Sequence, residues 1–200
     1  MDPHSGHDCR AVFLDLNGTL VLPLKQERLD EMTLIDGAAA AVARLSAAGF
    51  ICPVITVQSR IAKGLFTAEE FLLWFREFAA ALAASGAHVV GPYVCPHRYA
   101  EPCACAKPST VLYERAAREH GIAVTESFVV GDSPDDVCAA RRLGARGCLV
   151  RTGWAADPAM RRKGAADASV VTDSVVEAVE WILSRSPNAT AAAAPRYPRD

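Results

Sequence analysis

Short apolar runs that end in polar clusters alternate along this chain with stretches of helical composition, and that alternation limits the fold more than any other feature. Runs at residues 11–16, 50–56, 88–94, 127–130, 147–151 and 168–171 have the length and apolar character of buried strands. Helical segments are expected between them. One is the Ala-rich stretch 37–48, which stops at Gly49, and another is 67–85, opened by a capping box of Thr67 and Glu70. Further helices are expected from Ser109 or Thr110 to about His120-Gly121, over 134–143, and over 174–184. Strands alternating with helices form βαβ units. The expectation is therefore an α/β fold, a Rossmann-like three-layer α/β/α sandwich with a mainly parallel sheet. In such sheets ligands bind beyond the carboxyl ends of the strands. Asp15, Thr56, Lys107 and Asp132 all fall at or after such ends.

Composition narrows the function classes. A chain of 200 residues that is 51% hydrophobic and 22% charged suits one globular domain, expected over 10–185, with a flexible stretch at 1–9 and a disordered Pro- and Ala-rich tail at 186–200. The formal net charge of −2, without a clustered basic run, argues against nucleic acid as a partner. The polar first ten residues lack the apolar core of a secretory signal, and apolar windows are broken well short of a membrane span. A cytoplasmic protein without a membrane partner is expected, with a small phosphorylated metabolite as ligand and a monomer favoured. Seven cysteines, an odd number, point to thiols and metal ligands rather than a disulfide framework.

Asp15 stands at the tip of the first strand, in Asp15-Leu16-Asn17-Gly18-Thr19, and Asp132 repeats the arrangement in Gly131-Asp132-Ser133-Pro134-Asp135-Asp136. An Asp before Gly also caps ordinary turns, so neither residue decides anything alone. Two carboxylates converging at one sheet edge repel unless a cation lies between them, and a hard ion such as Mg2+ is expected. Thr56 and Lys107 supply a hydroxyl and a cation suited to phosphate oxygens.

These four clusters, in this order, resemble the motifs of the haloacid dehalogenase-like (HAD) superfamily. The resemblance implies that Asp15 is a nucleophile forming an aspartyl-phosphate. It further implies that Asp15, the backbone carbonyl of Asn17 and Asp132 ligate Mg2+, with Asp136 in support, and that Thr56 and Lys107 hold the phosphoryl group. The interval between Asp15 and Thr56 is too short for a large inserted cap domain.

Cys95, His97, Cys103 and Cys105 place three thiols and an imidazole in one Pro-rich loop, 95–108, a donor set that suits structural Zn2+. Cys9, Cys52, Cys138 and Cys148 stand alone. A zinc loop leading into Lys107-Pro108 makes the chain similar to the zinc-containing heptose bisphosphate phosphatases and to their relatives, the histidinol phosphatases. Gln58-Ser59-Arg60-Ile61-Ala62-Lys63-Gly64-Leu65-Phe66-Thr67 resembles the heptose branch more than the histidinol branch. By that resemblance Thr19, Gln58, Ser59, Arg60 and Lys63 contact the substrate of a Mg2+-dependent phosphatase that acts on a phosphorylated sugar.

Three positions depart from the family pattern. The Asp that protonates the leaving oxygen and then activates water is Asn17 here, Val57 replaces an Asn, and Ala106 replaces an Arg. General acid–base help is worth about 10²–10⁴ in rate. An amide supplies none, which leaves a weak phosphatase or one with an undemanding leaving group, an engineered variant, or a catalytically silent phosphate-binding homologue.

Overall fold

The computed structural model describes residues 9–99 and 101–186. Six parallel strands form one sheet: β1 (Val12–Leu14), β4 (Pro53–Val57), β5 (Val90–Cys95), β6 (Phe128–Gly131), β7 (Arg146–Val150) and β8 (Val170–Thr172). Their order is β5-β4-β1-β6-β7-β8, so β1 lies between β4 and β6 with neighbours on both sides. A separate antiparallel ribbon pairs β2 (Val21–Leu22) with β3 (Thr33–Leu34).

Side chains alternate across a strand, and here each parity enters a different core. Val12 and Leu14 pack with Val54, Phe128 and Val130 against α1 (Ala38–Ala47), α3 (Ala68–Ala83) and α7 (Val175–Ser184). Ala11 and Phe13 pack with Ile55, Tyr93 and Val129 against α4 (Val111–His120) and α5 (Pro134–Leu143). Helices therefore cover both faces, as a parallel sheet buried on two sides requires. Phe13 meets Tyr113 edge-on, with ring centroids 5.4 Å apart. Truncating such a buried ring to Ala costs about 3–5 kcal/mol.

The expected elements are present with shifted ends. Thr67 Oγ1 accepts from the Glu70 amide (3.1 Å) and Glu70 Oε2 from the Thr67 amide (2.7 Å), which closes the capping box that opens α3. The strand expected from residue 50 enters the ladder only at Pro53, and Ile51 makes an isolated bridge to Ala11. The elements not expected are the β2–β3 ribbon, the four-residue α2 (Ser59–Ala62), α6 (Pro158–Ala165) and 3-10 turns at Leu29–Glu31, Val124–Glu126 and Trp154–Ala156. Ribbon strands of two residues leave too little pattern to read. Asp157 and Pro158 do form an N-cap and first-turn signal, with Asp157 Oδ1 accepting from the Ala159 and Met160 amides. At the amino end, Cys9 pairs with Ile122. Residues 1–8 and 187–200, where the flexible stretch and tail were expected, lie outside the described residues. No helix among the described residues is long and apolar enough to cross a membrane.

Candidate active site

The polar clusters meet at the carboxyl edge of the sheet. The Asp15 amide donates to Val130 O (2.9 Å), tying the end of β1 to β6, and Asp132 follows directly after β6. Asp136 reaches the same place from the first turn of α5. Its Oδ2 accepts from the Ser133 amide and hydroxyl (3.1 and 2.6 Å), closing a second capping box, while its Oδ1 faces Lys107. Glycine at 131 is required for this approach, because any Cβ there would overlap the Asp136 side chain. Carboxylate oxygens of Asp15, Asp132 and Asp136 lie within 4.8 Å of one another.

Lys107 comes from the loop after β5, 92 residues from Asp15 in sequence, and is buried between two of these acids. Its ammonium donates to Asp15 Oδ1 at 2.5 Å and to Asp136 Oδ1 at 2.6 Å. Burial would lower its pKa, but the Asp136 and Asp15 carboxylates outweigh that effect and hold it well above the usual lysine range. Burial, with Asp136 nearby, pushes Asp15 up to about 6 in spite of Lys107. Burial and the charges of Asp15 and Asp136 push Asp132 well above the usual carboxylate range, against a hydrogen bond from the Trp154 amide (2.6 Å). Three carboxylates facing one ammonium lack positive charge. Two of them at 4.8 Å, the upper limit of their separation, would repel by about 3.5 kcal/mol at an effective dielectric constant of about 20. An all-oxygen donor set with that deficit fits a hard divalent cation.

Thr56, at the end of β4, is buried and accepts from Gln58 Nε2 (3.0 Å). Gln58 Nε2 also donates to Asn17 Oδ1 (2.8 Å), Asn17 Nδ2 donates to Gln26 Oε1 (3.2 Å), and Gln26 Nε2 donates to Gln58 Oε1 (3.4 Å). The three amides thus form a closed ring in which every link has a donor and an acceptor. Asn17 Nδ2 also reaches Pro23 O (3.3 Å), and Arg60 Nε donates to Gln26 O (3.2 Å), which fastens the loop after β2 over the site. Asp15, Asn17, Thr56, Gln58, Arg60, Lys107 and Asp132 line one cleft. Thr19, Ser59 and Lys63 are not brought to its wall. Thr19 and Ser59 are buried, and the Thr19 hydroxyl has no partner among the described residues. Gln26, Tyr99, Asp135 and Trp154 also line it and were not singled out from sequence. Trp154 comes shortly after the strand expected at 147–151, so proximity to a strand end was the available signal. Gln26 had none.

Cys95, at the end of β5, has its sulfur 3.6 Å from His97 Nδ1 and 3.7 Å from Cys103 Sγ, and Cys105 Sγ is 3.3 Å from His97 Nδ1. The four donor atoms cluster within 4.8 Å. Burial pushes the Cys95 thiol up to about 12, whereas backbone amides of Ala106 and Cys105 hold Cys103 below the usual thiol range. Soft sulfur and imidazole donors gathered this closely fit zinc.

Three acids and a buried lysine at the carboxyl edge of a parallel sheet form a donor set that suits a hard cation and a phosphoryl group. The comparisons with known proteins agree. A family model described as HAD-hydrolase-like matches residues 104–178. The D-glycero-beta-D-manno-heptose-1,7-bisphosphate 7-phosphatase of Photorhabdus laumondii is 36% identical over 153 residues, covering 72% of this chain and 81% of that protein. The enzyme of the same name from Haemophilus ducreyi is 31% identical over 182 residues, covering 86% and 98%. A crystal structure of D,D-heptose 1.7-bisphosphate phosphatase from B. bronchiseptica, complexed with magnesium and phosphate, matches with a TM-score of 0.76 at 28% identity, covering 88% of this chain and 99% of that one. The chain belongs to the haloacid dehalogenase-like hydrolases, in the branch of the heptose bisphosphate phosphatases.

Proposed function

We propose that this chain is a Mg2+-dependent phosphatase of small phosphorylated sugars, most like the heptose bisphosphate 7-phosphatases, and that it works through an aspartyl-phosphate on Asp15. The observation that carries the reading is the convergence of Asp15, Asp132 and Asp136 on one point beside the Lys107 ammonium. The relative crystallised with magnesium and phosphate supports it. Asp15, the backbone carbonyl of Asn17 and Asp132 would hold the Mg2+, with Asp136 in support, and the ion would offset charge on the phosphoryl oxygens. Asp15 attacks phosphorus, Thr56 and Lys107 orient the phosphoryl group and balance its charge, and Gln58 and Arg60 face the rest of the substrate. The Cys95, His97, Cys103 and Cys105 loop would bind structural Zn2+ and fix the segment that delivers Lys107. A monomer working in the cytoplasm on a soluble metabolite suits this reading.

The test is phosphate release from a panel of sugar mono- and bisphosphates, with Mg2+ and with a chelator. Turnover that needs Mg2+ and disappears in Asp15→Asn is expected. Silence across the panel, or an active Asp15→Asn, would overturn the proposal.

A further inference from the structure

The amide ring bears on the kind of phosphate that the site can use. In-line displacement places the leaving oxygen on the far side of phosphorus from Asp15. Outside the carboxylate cluster, the cleft wall includes Asn17, Thr56, Val57, Gln58 and Arg60. None of these side chains gives up a proton near neutral pH. Asn17 is, moreover, not an acid waiting for a partner, because both ends of its amide are already engaged. Its oxygen accepts from Gln58, and its nitrogen donates to Gln26 Oε1 and Pro23 O. Gln26 and Gln58 are each 1% exposed, so the ring is held by packing as well as by hydrogen bonds. The surroundings of position 17 match a neutral group that both donates and accepts.

We infer that this site transfers phosphoryl groups efficiently only from donors whose leaving group departs without a proton: acyl phosphates, phosphoanhydrides, aryl phosphates and, among sugar phosphates, anomeric phosphates ahead of primary alkyl esters. The inference rests on Asp15 as nucleophile and narrows the class of phosphate that this reading leaves open. In the first step a new bond forms between Asp15 Oδ and phosphorus. The bond from phosphorus to the leaving oxygen breaks, and that oxygen keeps the electron pair and leaves as a carboxylate, phosphate, phenolate or hemiacetal anion. A primary alkoxide, about as basic as hydroxide, leaves far more slowly. In the second step water attacks phosphorus, the bond to Asp15 breaks, inorganic phosphate forms and the proton of the water passes to solvent. With no base beside the water this step is slow, and the aspartyl-phosphate accumulates.

The experiment compares acetyl phosphate, p-nitrophenyl phosphate, a sugar 1-phosphate and a sugar 6-phosphate with the full chain in Mg2+. Released phosphate is measured, together with acid-quenched phosphoenzyme by mass spectrometry. Acetyl and p-nitrophenyl phosphate should label Asp15, and their kcat/KM should exceed that of the 6-phosphate by about 10²–10⁴, the usual worth of general acid catalysis. Asn17→Asp should shrink that ratio by accelerating the 6-phosphate. A 6-phosphate within tenfold of p-nitrophenyl phosphate in the unaltered protein would overturn the inference, and that comparison does not depend on whether any variant folds. Tyr99 and Asp135 are proton-bearing groups on the cleft wall outside the Asp15, Asp132, Asp136 and Lys107 cluster. Selective loss of 6-phosphate turnover in Tyr99→Phe or Asp135→Asn would identify a proton donor and overturn it as well. Absence of label from every donor would instead remove the nucleophile reading, a different outcome from equal labelling by all.

Discussion

Metal removal and pH should act on the stability of this protein as a single linked variable. Asp15 has a pKa near 6 in the folded chain without metal, against 3.8 as an ordinary side chain. A carboxyl group raised on folding binds its proton more tightly in the native state, so its contribution to stability is fully present below about pH 4 and is lost as pH rises through about 6. At about 1.36 kcal/mol per pH unit, the gap between 3.8 and about 6 amounts to roughly 3 kcal/mol. Asp132 is raised by the same causes and adds to the loss. For a chain of this length that corresponds to a melting temperature lower by about 6–12 °C than it would be without the penalty. A divalent ion that takes the place of the proton removes the penalty. Thermal melts with EDTA and with excess Mg2+, at about pH 4.5 and about pH 7.5, should show a large Mg2+ gain at the higher pH and little at the lower. Metal-free Asp15→Asn should lose much of the pH dependence. Equal Mg2+ gains at both pH values, or an unchanged pH slope in that variant, would refute the reasoning.

Cys103→Ser should lower bound zinc from about one ion per chain, measured by elemental analysis, and weaken phosphate binding through Lys107. Full zinc content with full activity would contradict the clip. Gly131→Ala drives a methyl group into Asp136 and should destabilise the chain by about 1–3 kcal/mol in chemical unfolding while lowering turnover. Lys107→Met leaves the buried Asp15 and Asp136 without their cation and should cost about 3–5 kcal/mol near neutral pH without metal. Because Asp15 then binds its proton more readily, the loss should shrink in acid, and melts across pH will test that.

The sheet was legible in the sequence because β1, β4, β6 and β7 are buried and therefore almost continuously apolar. Their polar ends marked Asp15, Thr56 and Asp132 for the same reason, since a charge stands out beside a run such as Phe13-Leu14. The α5 helix was found to the residue, with Ser133, Pro134 and Asp136 announcing its start and Gly144 its end. What stayed hidden depends on chain reversals. Gln26 sits in a loop without periodicity and meets Gln58 only because the β2–β3 ribbon folds that loop back across α2. Thr19 is kept from the cleft wall for a similar reason. A hydroxyl beside a glycine turn looks available to a ligand, yet the turn directs it inward, where it is fully buried. Asp136, expected in support of the metal ligands, also caps α5 through one oxygen while the other faces Lys107.

That double use of Asp136 has a consequence for how the protein can change over time. One oxygen secures the start of α5 and the other grips Lys107, so a substitution here cannot retune the charge of the pocket without also loosening a helix that backs the sheet. Adaptation to new substrates is thus pushed outward to exposed side chains such as Tyr99.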